Sequence, residues 1–304
     1  MTLIPCAPAE QNALLSFVLP YEKLAVGLVS HALLGDADCF VVAENGRVRD
    51  AFSLSKSGQI FHCLPDAYTE NQPRLLGVLT EFFAARKNHE LFNIVGEEKG
   101  TDLVKRAIQR AMGRGIQHEQ RYVLLEKTVP RGAASGAHGM ATAFDGANEV
   151  PTTTCLPSAS PEQSLAIVRC APSMIDDLLP LQIAYEKEEV EWEGNPIDQK
   201  VTRLGLLHAL RIQQIFALSK NGAYIAKGGT NAIGRKYVQL GGIYTVPSER
   251  GKGHGECLVR QIIEAVHSQG KNAALFAKPD NAPALRLYEK CGFRKIGRYE
   301  IAYY

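Results

Sequence analysis

The sequence predicts an α/β (α+β) fold in which a mixed, mostly antiparallel central sheet is flanked by helices, with two related domains in tandem. Three observations support this prediction. Short apolar runs alternate with stretches of helical periodicity along both halves of the chain. The dipeptides Asn45-Gly46 and Asn221-Gly222 lie between strand-like runs, where they favour the tight turn of an antiparallel hairpin. Between the halves, residues 130–161 are rich in Gly, Ala, Ser, Thr and Pro, as is typical of a linker.

The first domain, residues 1–128, is predicted from strands and helices that alternate along it. Turn residues bound the strands, and apolar residues three and four positions apart mark the helices. The predicted elements are a helix over 14–34, strands over 39–44, 47–54 and 59–64, a helix over 74–86, a strand over 91–95, a helix over 101–112 and a strand over 121–127.

The second domain, residues 163–304, follows the linker at 129–162 and has a similar predicted order. This similarity indicates that the first domain is a degenerate copy of the second, and an unrelated α/β domain is the alternative. The predicted elements are a strand over 165–169, helices over 173–190 and 197–212, strands over 214–218, 223–227 and 237–246, a helix over 256–267, a strand over 273–277, a helix over 283–291 and a strand over 298–303.

Composition excludes several functional classes. The 304 residues suffice for two domains, and 45% hydrophobic with 22% charged residues is ordinary for a globular protein. A formal net charge of +2 gives no bulk attraction to nucleic acid or to a membrane surface. Because the chain has neither a long apolar run nor a basic leader followed by an apolar core, we expect no membrane span and a cytoplasmic protein.

Cysteine and histidine usage gives no indication of disulfides or metals. The seven cysteines are scattered, odd in number and never spaced as Cys-x-x-Cys. The eight histidines do not cluster with them, so the sequence predicts reduced thiols and no metal site.

The most informative segment is residues 250–255, which we call the glycine turn. It lies between a predicted strand and a predicted helix, and it contains Gly251, Gly253 and Gly255. Such a turn presents free backbone N–H groups and the positive end of the helix dipole, while glycines allow close approach of a ligand. Arg250 and Lys252 add positive charge at the same point. The arrangement suits a pyrophosphate, and a surface turn without a ligand is the alternative.

Two common phosphate-binding patterns do not match the glycine turn. A P-loop requires Gly-Lys followed by Ser or Thr, whereas Lys252 is followed by Gly253. A dinucleotide-binding turn has the spacing G-x-G-x-x-G and an acid after the next strand, whereas the spacing here is G-x-G-x-G and residues 273–277 offer no acid.

A second motif lies in residues 281–293. Asn281 can cap a helix that has Pro283 in its first turn, and Gly292 can end it. Asn281 and Tyr288 are seven residues apart, about two helical turns, so both can border one groove.

Together, the R-G-x-G-x-G string after a strand ending in Val-x-Pro and the N…A…Y…GF segment resemble the GNAT acyltransferase superfamily. The resemblance covers about residues 164–304, and the whole layout is similar to two-domain bacterial acetyltransferases. It implies a GNAT fold and acetyl-CoA as co-substrate. The implied cofactor-binding residues are Tyr244, Thr245, Val246, Arg250, Gly251, Lys252, Gly253, His254, Gly255 and Asn281.

The first domain lacks the corresponding turn. Its loop over residues 66–73 contains no glycine and two acids, so it could not hold a pyrophosphate in the same way. We therefore expect a GNAT-like first domain without a cofactor.

The resemblance also implies catalytic roles. Backbone N–H groups near Tyr244 to Val246 would bind the thioester oxygen, and Tyr288 would protonate the departing thiolate, although Tyr288 could instead only pack on the sheet. No motif fixes the general base. We assign the role of general base to Glu189. Three neighbouring acids and a proton relay through water remain open candidates for the same role. The alternative is that these acids only form a solvated helix face. Trp192 is either a packing residue or a surface for substrate stacking. The three neighbouring acids are Glu188, Glu191 and Glu193.

The sequence thus predicts an acetyl-CoA-dependent N-acyltransferase that acts on an amine of a small molecule, a peptide terminus or a lysine side chain. The alternative is a non-catalytic acyl-CoA sensor or interaction module, because the extra domain and the absence of a Glu in the strand before the glycine turn depart from a simple enzyme. The acceptor is not defined by any motif, and transfer to an alcohol or of a longer acyl group is a third alternative that the sequence does not separate from the first. Pairing of two chains through their sheets is an open alternative to a monomer.

Overall fold

The computed structural model describes residues 1–7, 10–130 and 165–304, which form one sheet of twelve strands with eight α-helices. The predicted linker, residues 129–162, lies outside these ranges except for its first two residues. Two of the eleven neighbouring strand pairs are parallel and nine are antiparallel, which confirms the predicted mixed, mostly antiparallel sheet. Among the described helices, none combines the length and apolar composition that crossing a bilayer requires.

The first half differs from the predicted pattern at its start. The predicted helix over residues 14–34 is interrupted by a 3₁₀ turn, Leu19–Leu24, because Pro20 cannot donate the hydrogen bond that an α-helix interior needs. An unpredicted short strand precedes it. The elements are β1 (Thr2–Pro5), α1 (Gln11–Val18), α2 (Val26–Leu34), β2 (Ala37–Glu44), β3 (Arg47–Ser55), β4 (Gln59–Cys63), α3 (Gln72–Ala84), β5 (Asn93–Glu97), α4 (Glu98–Met112) and β6 (His118–Lys127).

The second half follows the predicted order, with boundaries that differ by a few residues. Asp198 caps the second helix of this half by accepting hydrogen bonds from the backbone of Lys200 and Val201. The elements are β7 (Leu165–Arg169), α5 (Ile175–Glu189), α6 (Gln199–Ile212), β8 (Ile215–Lys220), β9 (Ala223–Ile233), β10 (Tyr237–Thr245), α7 (His254–His267), β11 (Asn272–Ala277), α8 (Ala282–Lys290) and β12 (Arg294–Tyr303).

Both halves therefore have the same order of elements, β-α-α-β-β-β-α-β-α-β. This finding confirms two related units in tandem, and the first half is not an unrelated α/β domain. Both predicted hairpins are present, with positive φ at Asn45, Gly46, Asn221 and Gly222, as the favoured two-residue hairpin turn requires.

The last strand of each half lies in the sheet of the other half. The strand order is β1-β2-β3-β4-β5-β12-β6-β11-β10-β9-β8-β7. Thus β6 pairs with β11, and β12 pairs with β5, while β6 and β12 pair with each other along their length. Neither half has a complete sheet without a strand from the other.

Two buried carboxylates stabilise this exchange. Glu126 on β6 pairs with Arg294 on β12 at 2.6 Å and accepts a hydrogen bond from the hydroxyl of Tyr237 on β10 at 3.1 Å. Glu300 on β12 pairs with Lys105 on α4 at 2.6 Å. A buried charge without a partner is costly, so these pairs disfavour any register that separates them.

A third buried carboxylate also joins the halves. Glu22, from the 3₁₀ turn of the first half, accepts hydrogen bonds from the backbone N–H groups of Lys236 and Tyr237 at 2.9 and 3.2 Å. Next to it, Val26 packs against Ala232 and Ala274 of the second half.

Helices cover both faces of the second half's sheet. On β8, Phe216 and Leu218 pack in the cluster that contains the apolar face of α7, whereas Ala217 packs with Leu178 of α5 and Leu206 of α6. Because successive strand residues point to opposite faces, α7 and the α5–α6 pair lie on opposite sides of the sheet.

We predict that cutting the chain between the halves leaves them associated. In a variant with a specific protease site inserted within residues 131–164, the cut protein should elute from a sizing column at the position of the uncut chain, because β6 and β12 remain paired across the halves. The fragments should separate only in denaturant. Elution of two separate fragments in native buffer would contradict the exchange.

Candidate active site

Strands β10 and β11 pair only at their beginnings. Residues Tyr237–Gln239 pair in parallel with Asn272–Ala274, and no ladder pair joins the two strands beyond that point. The remaining residues of the two strands, Leu240–Thr245 and Leu275–Ala277, border what we call the slot. Backbone groups facing the slot are free of sheet partners on that side, so they can bind an extended ligand.

A β-bulge lies in β10 beside the slot. Between the pairs Gly241–Gly229 and Tyr244–Lys227, β10 has two intervening residues and β9 has one. Gly242 has φ +62°, a conformation that favours glycine. The bulge lies slightly earlier than the predicted segment at Tyr244 to Val246. The N–H of Val246 itself donates to the carbonyl of Ile225 at 2.9 Å.

The glycine turn connects β10 to α7 and leaves its amides unpaired. Gly251 and Gly253 have φ of +75° and +83°, and the first intrahelical bond of α7 is from Cys257 to Gly253. No side chain caps Gly253, and within the described residues the N–H groups from Gly251 to Glu256 have no hydrogen-bond acceptor. Such amides, together with the positive end of the helix dipole, can bind an anion.

Charged side chains hold the backbone just before the glycine turn. Glu249 accepts from Lys220 at 3.1 Å, pairs with Lys252 at 3.2 Å and contacts Nε2 of buried His254 at 3.1 Å. These lysines lower the pKa of Glu249. His254 thus contacts the carboxylate that directly precedes the glycine turn, so its imidazole helps to hold the turn in place.

Arg250 ties the turn to the neighbouring elements. Its Nε donates to the carbonyl of Thr245 at 2.9 Å, and its Nη2 donates to Glu188 on α5 at 2.6 Å. The guanidinium lies 5.4 Å from the ring centroid of Tyr244. The hydrogen bond to Glu188 raises the pKa of Arg250, which therefore stays cationic.

Helix α8 borders the slot on its other side. Asn281 caps this helix by accepting from the N–H of Ala284 at 3.1 Å, and its amide donates to Glu189 at 3.1 Å. Glu189 also pairs with Lys278 at 3.2 Å. Both carboxylate oxygens of Glu189 are therefore engaged, and the side chain joins α5 to α8.

Tyr288 faces inward from α8 beside Tyr185 of α5. Burial raises the pKa of Tyr288, and the nearby Tyr185 and Glu189 raise it further. Burial likewise raises the pKa of Tyr185, with a smaller opposing contribution from the backbone of Gly242. Both phenols are protonated at neutral pH, and the Tyr288 hydroxyl has no hydrogen-bond acceptor among the described residues. Sequence reasoning missed Tyr185, which is hidden in an acidic helix.

Lys227 on β9 also lies at the bulge. Its Nζ donates to the carbonyl of Gly242 at 3.0 Å and lies 4.9 Å from the ring centroid of Tyr185. The side chain is 3% exposed, and burial lowers its pKa to about 8. Sequence reasoning missed this residue, whose available signal is a lysine directly after the apolar run 223–226.

Aromatic residues from both halves lie together beyond Glu189. Trp192, in the connection between α5 and α6, stacks on His118 at the start of β6 with ring centroids 4.9 Å apart. Tyr303, at the end of β12, lies 6.2 Å from Trp192. The Trp192 indole N–H is buried without a partner among the described residues. This side chain is packed, and the question of substrate stacking stays a prediction.

The loop of the first half that corresponds to the glycine turn is closed. Asp66 pairs with Arg49 at 2.8 Å, and its N–H donates to the buried carboxylate of Asp50 at 3.0 Å. Two carboxylates thus lie where a phosphate would have to bind. This arrangement gives a physical reason for the predicted lack of a pyrophosphate site in the first half.

The gap between β4 and β5 of the first half is also filled. These strands pair from Gln59–Asn93 to Phe61–Val95, and the next residue, His62, turns its ring onto β5 and α4. A Cβ atom at Gly96 or Gly100 would lie 2.2 to 2.8 Å from that ring. Nε2 of His62 lies 2.9 Å from the Thr101 hydroxyl, and burial lowers the pKa of His62 to about 3.

In the described part of the chain, no group of three or more His, Cys, Asp or Glu residues is arranged to hold a metal ion. Six cysteines of this part are free thiols.

Comparison with known proteins agrees with this geometry. Residues 229–302 match the family model of FR47-like protein, which is related to the GNAT proteins. This match runs from within β9 to β12, and it contains both the glycine turn and the motif of residues 281–293. No curated protein sequence matches the chain.

Solved structures share the tandem fold. A Drosophila protein is 12% identical, with a TM-score of 0.60 over 99% of this chain and 98% of its own. A tandem GNAT protein from the clavulanic acid biosynthesis pathway is 15% identical, with a TM-score of 0.57 over 99% and 97%. A GCN5-related N-acetyltransferase from Kribbella flavida is 14% identical, with a TM-score of 0.52 over 92% and 95%. The GNAT resemblance and the tandem GNAT fold are therefore confirmed.

The buried Asp50 predicts a pH-dependent stability of the closed loop. Burial raises its pKa from 3.8 to about 7. The folded protein then binds this proton more strongly than the unfolded chain, so the free energy of unfolding falls as pH rises from about 4 to about 7. Asp50→Asn keeps the acceptor for the Asp66 N–H. It should raise the free energy of unfolding at pH 8 by on the order of 1–4 kcal/mol, with no gain at pH 4.

Urea unfolding at several pH values measures this effect. Asp38→Asn, on the exposed face of β2, is the control and should leave the profile unchanged. An Asp50→Asn variant whose stability gain does not depend on pH would contradict the assignment.

Proposed function

We propose that the chain is an acetyltransferase that moves the acetyl group of acetyl-CoA to an amine. The observation that carries this proposal is the set of unpaired amides at the glycine turn, next to a slot bordered by two unpaired strand edges. Together they offer an anion site for the pyrophosphate and an extended groove for the pantetheine arm. The GNAT fold makes the same assignment the simplest one.

The residues at the turn fit the co-substrate. A Cβ atom on Gly255 would lie 3.4 Å from both Leu287 and the Thr245 hydroxyl, so a larger residue would crowd the turn. Arg250 and Lys252 supply positive charge beside the amides, although each is also paired with a glutamate. These features support the binding roles assigned from the sequence to Arg250, Lys252 and Gly255, and the unpaired amides support those of Gly251 and Gly253. The roles assigned to Tyr244, Thr245, Val246 and His254 stay predictions.

The bulge is the group best placed to bind the thioester oxygen. The backbone of Gly242 and Ile243 has no ladder partner on β9, and β10 has none on β11 beyond Gln239. Donors held in position without reorganisation stabilise the negative charge that forms on the carbonyl oxygen. We therefore assign this role to the bulge, two residues before the predicted segment.

Tyr288 is the proposed proton donor to the leaving thiolate. Because burial raises its pKa, its hydroxyl is protonated throughout the physiological range. The thiolate forms only when the carbon–sulfur bond breaks, and a phenol beside it can donate at that step. Glu189, the base assigned from the sequence, is held by Lys278 and Asn281. These contacts favour a role in positioning α8.

Gly253→Glu should abolish acetyl-CoA binding, because a carboxylate would occupy the anion site. Isothermal calorimetry with acetyl-CoA should show at least a 100-fold weaker affinity, about 2.7 kcal/mol. Gly113→Glu is the matched control, since Gly113 also has positive φ, at +69°, but ends α4 in the first half. Both variants should lose about 1–2 kcal/mol of stability from backbone strain. Equal affinity of the two variants would refute the anion site.

Tyr288→Phe should lower turnover and leave binding intact. Release of free thiol from acetyl-CoA in the presence of a panel of primary amines should fall about 10²–10⁴-fold. The affinity for acetyl-CoA should change less than about threefold, because the ring stays in place. Tyr299→Phe, at a fully buried tyrosine stacked on Phe276, is the control and should keep normal turnover. Unchanged turnover in Tyr288→Phe would favour the sensor alternative.

A further inference from the structure

Lys227 is a buried amine beside the proposed thioester site. It extends from β9 and reaches the bulge of β10, where its Nζ donates to the Gly242 carbonyl at 3.0 Å. A Cβ atom on Gly242 would lie 3.3 Å from that nitrogen, so glycine leaves room for it. The same nitrogen lies over the ring of Tyr185, which neighbours Tyr288.

The surroundings of Lys227 do not neutralise it. Within the described residues, no carboxylate forms an ion pair with its Nζ. The charged and titratable groups that face it are Glu186 and Tyr185 from α5 and Cys170 after β7, while β8 places Ala217 beside it. A buried ammonium with such weak compensation is costly, and the usual outcome is easy loss of its proton.

We propose that Lys227 is the general base that removes a proton from the amine acceptor. This inference rests on the proposed acetyltransfer. The observation behind it is a buried amine on β9, which reaches the bulge of β10 from the side away from the slot. Lysine is a good base when burial brings its pKa near the working pH, and the pKa of Lys227 is lowered to about 8.

The protons balance as follows. The acceptor arrives as an ammonium and gives one proton to neutral Lys227, which becomes an ammonium. The free amine forms a bond to the carbonyl carbon, and the carbon–sulfur bond breaks. The nitrogen then loses its second proton, and the thiolate gains one from Tyr288. Tyr288 recovers a proton from the nitrogen, and Lys227 releases its own to water. The net products are an amide, CoA thiol and one proton.

Lys227 fits this role better than Glu189. A base must have a free lone pair directed at the acceptor, whereas both oxygens of Glu189 are already engaged. Within the described residues, the Nζ of Lys227 makes one hydrogen bond, which it donates to the Gly242 carbonyl. Loss of its proton therefore frees a lone pair at the bulge and removes no ion pair.

Two variants test the proposal. Lys227→Met removes the base and keeps the length of the side chain, and Lys227→Arg keeps a positive charge that cannot be released near neutral pH. Both should bind acetyl-CoA within about threefold of the unchanged chain and lose at least about 100-fold in kcat/KM at pH 7.5. In the unchanged chain, kcat/KM should rise with pH up to about pH 8, and this limb should vanish in both variants.

Rescue separates a base from a structural residue. In Lys227→Ala, trimethylamine should restore part of the turnover, because a tertiary amine accepts a proton and forms no stable amide. Lys271→Met is the control, since the Nζ of Lys271 also donates to a backbone carbonyl, that of Gly234 at 2.8 Å, but at the connection between β9 and β10, and its variant should keep the rise up to pH 8. Full turnover in Lys227→Arg would refute the proposal. So would an acetyl group on Lys227 in the intact-mass spectrum, because the lysine would then be an acceptor.

If the variants fail to fold, the pKa of Lys227 can be measured in the unchanged chain without any turnover assay. In carbon NMR of the unchanged chain with labelled lysines, the Lys227 Cε resonance should titrate near pH 8 and shift when CoA is added. Titration near the ordinary value of about 10.4 would refute the proposal. If the unchanged chain does not bind acetyl-CoA at all, the proposed acetyltransfer itself fails. If it binds and only the Lys227 results are negative, the failure is limited to the base.

Discussion

The antiparallel pairing of β6 with β12 is the constraint on which both halves depend. Each of these strands ends one half of the chain and completes the sheet of the other. Their buried carboxylates, Glu126 and Glu300, pair with Arg294 and Lys105 of the opposite halves in this arrangement. The same pairing brings His118 of β6 and Tyr303 of β12 next to Trp192. This aromatic cluster is thus built by both halves.

The two halves have one architecture but different interiors. In the second half, Gly242 and the glycine turn keep backbone groups exposed to a ligand. In the first half, Asp66 closes the corresponding loop, and His62 fills the corresponding gap between strands. The buried imidazole of His62, packed on two glycines, makes van der Waals contacts that an open gap would lack. The first half therefore gains packing at the position where the second half has the slot. The asymmetry gives a physical reason why the duplicated fold would have one co-substrate site, in its second half.

The sequence predicts the local features well, because short-range patterns specify them. The Asn-Gly turns, the helix cap at Asn281 and the glycine turn each depend on a few adjacent residues. The exchange of β6 and β12 depends on which strand edges meet, and neither strand differs in pattern from one that stays in its own half. The roles of Tyr185 and Lys227 likewise depend on contacts between elements far apart in the chain. Single-sequence patterns do not contain that information.

The position of β12 affects how the protein can fold during synthesis. The strand that completes the first half, β12, follows all the other described elements in the chain, so it leaves the ribosome after them. Until then, the edges of β5 and β6 that will receive β12 are exposed. Long-range pairing of this kind slows folding and exposes strand edges to aggregation. Early chain termination therefore damages the first half of the protein as well as the second.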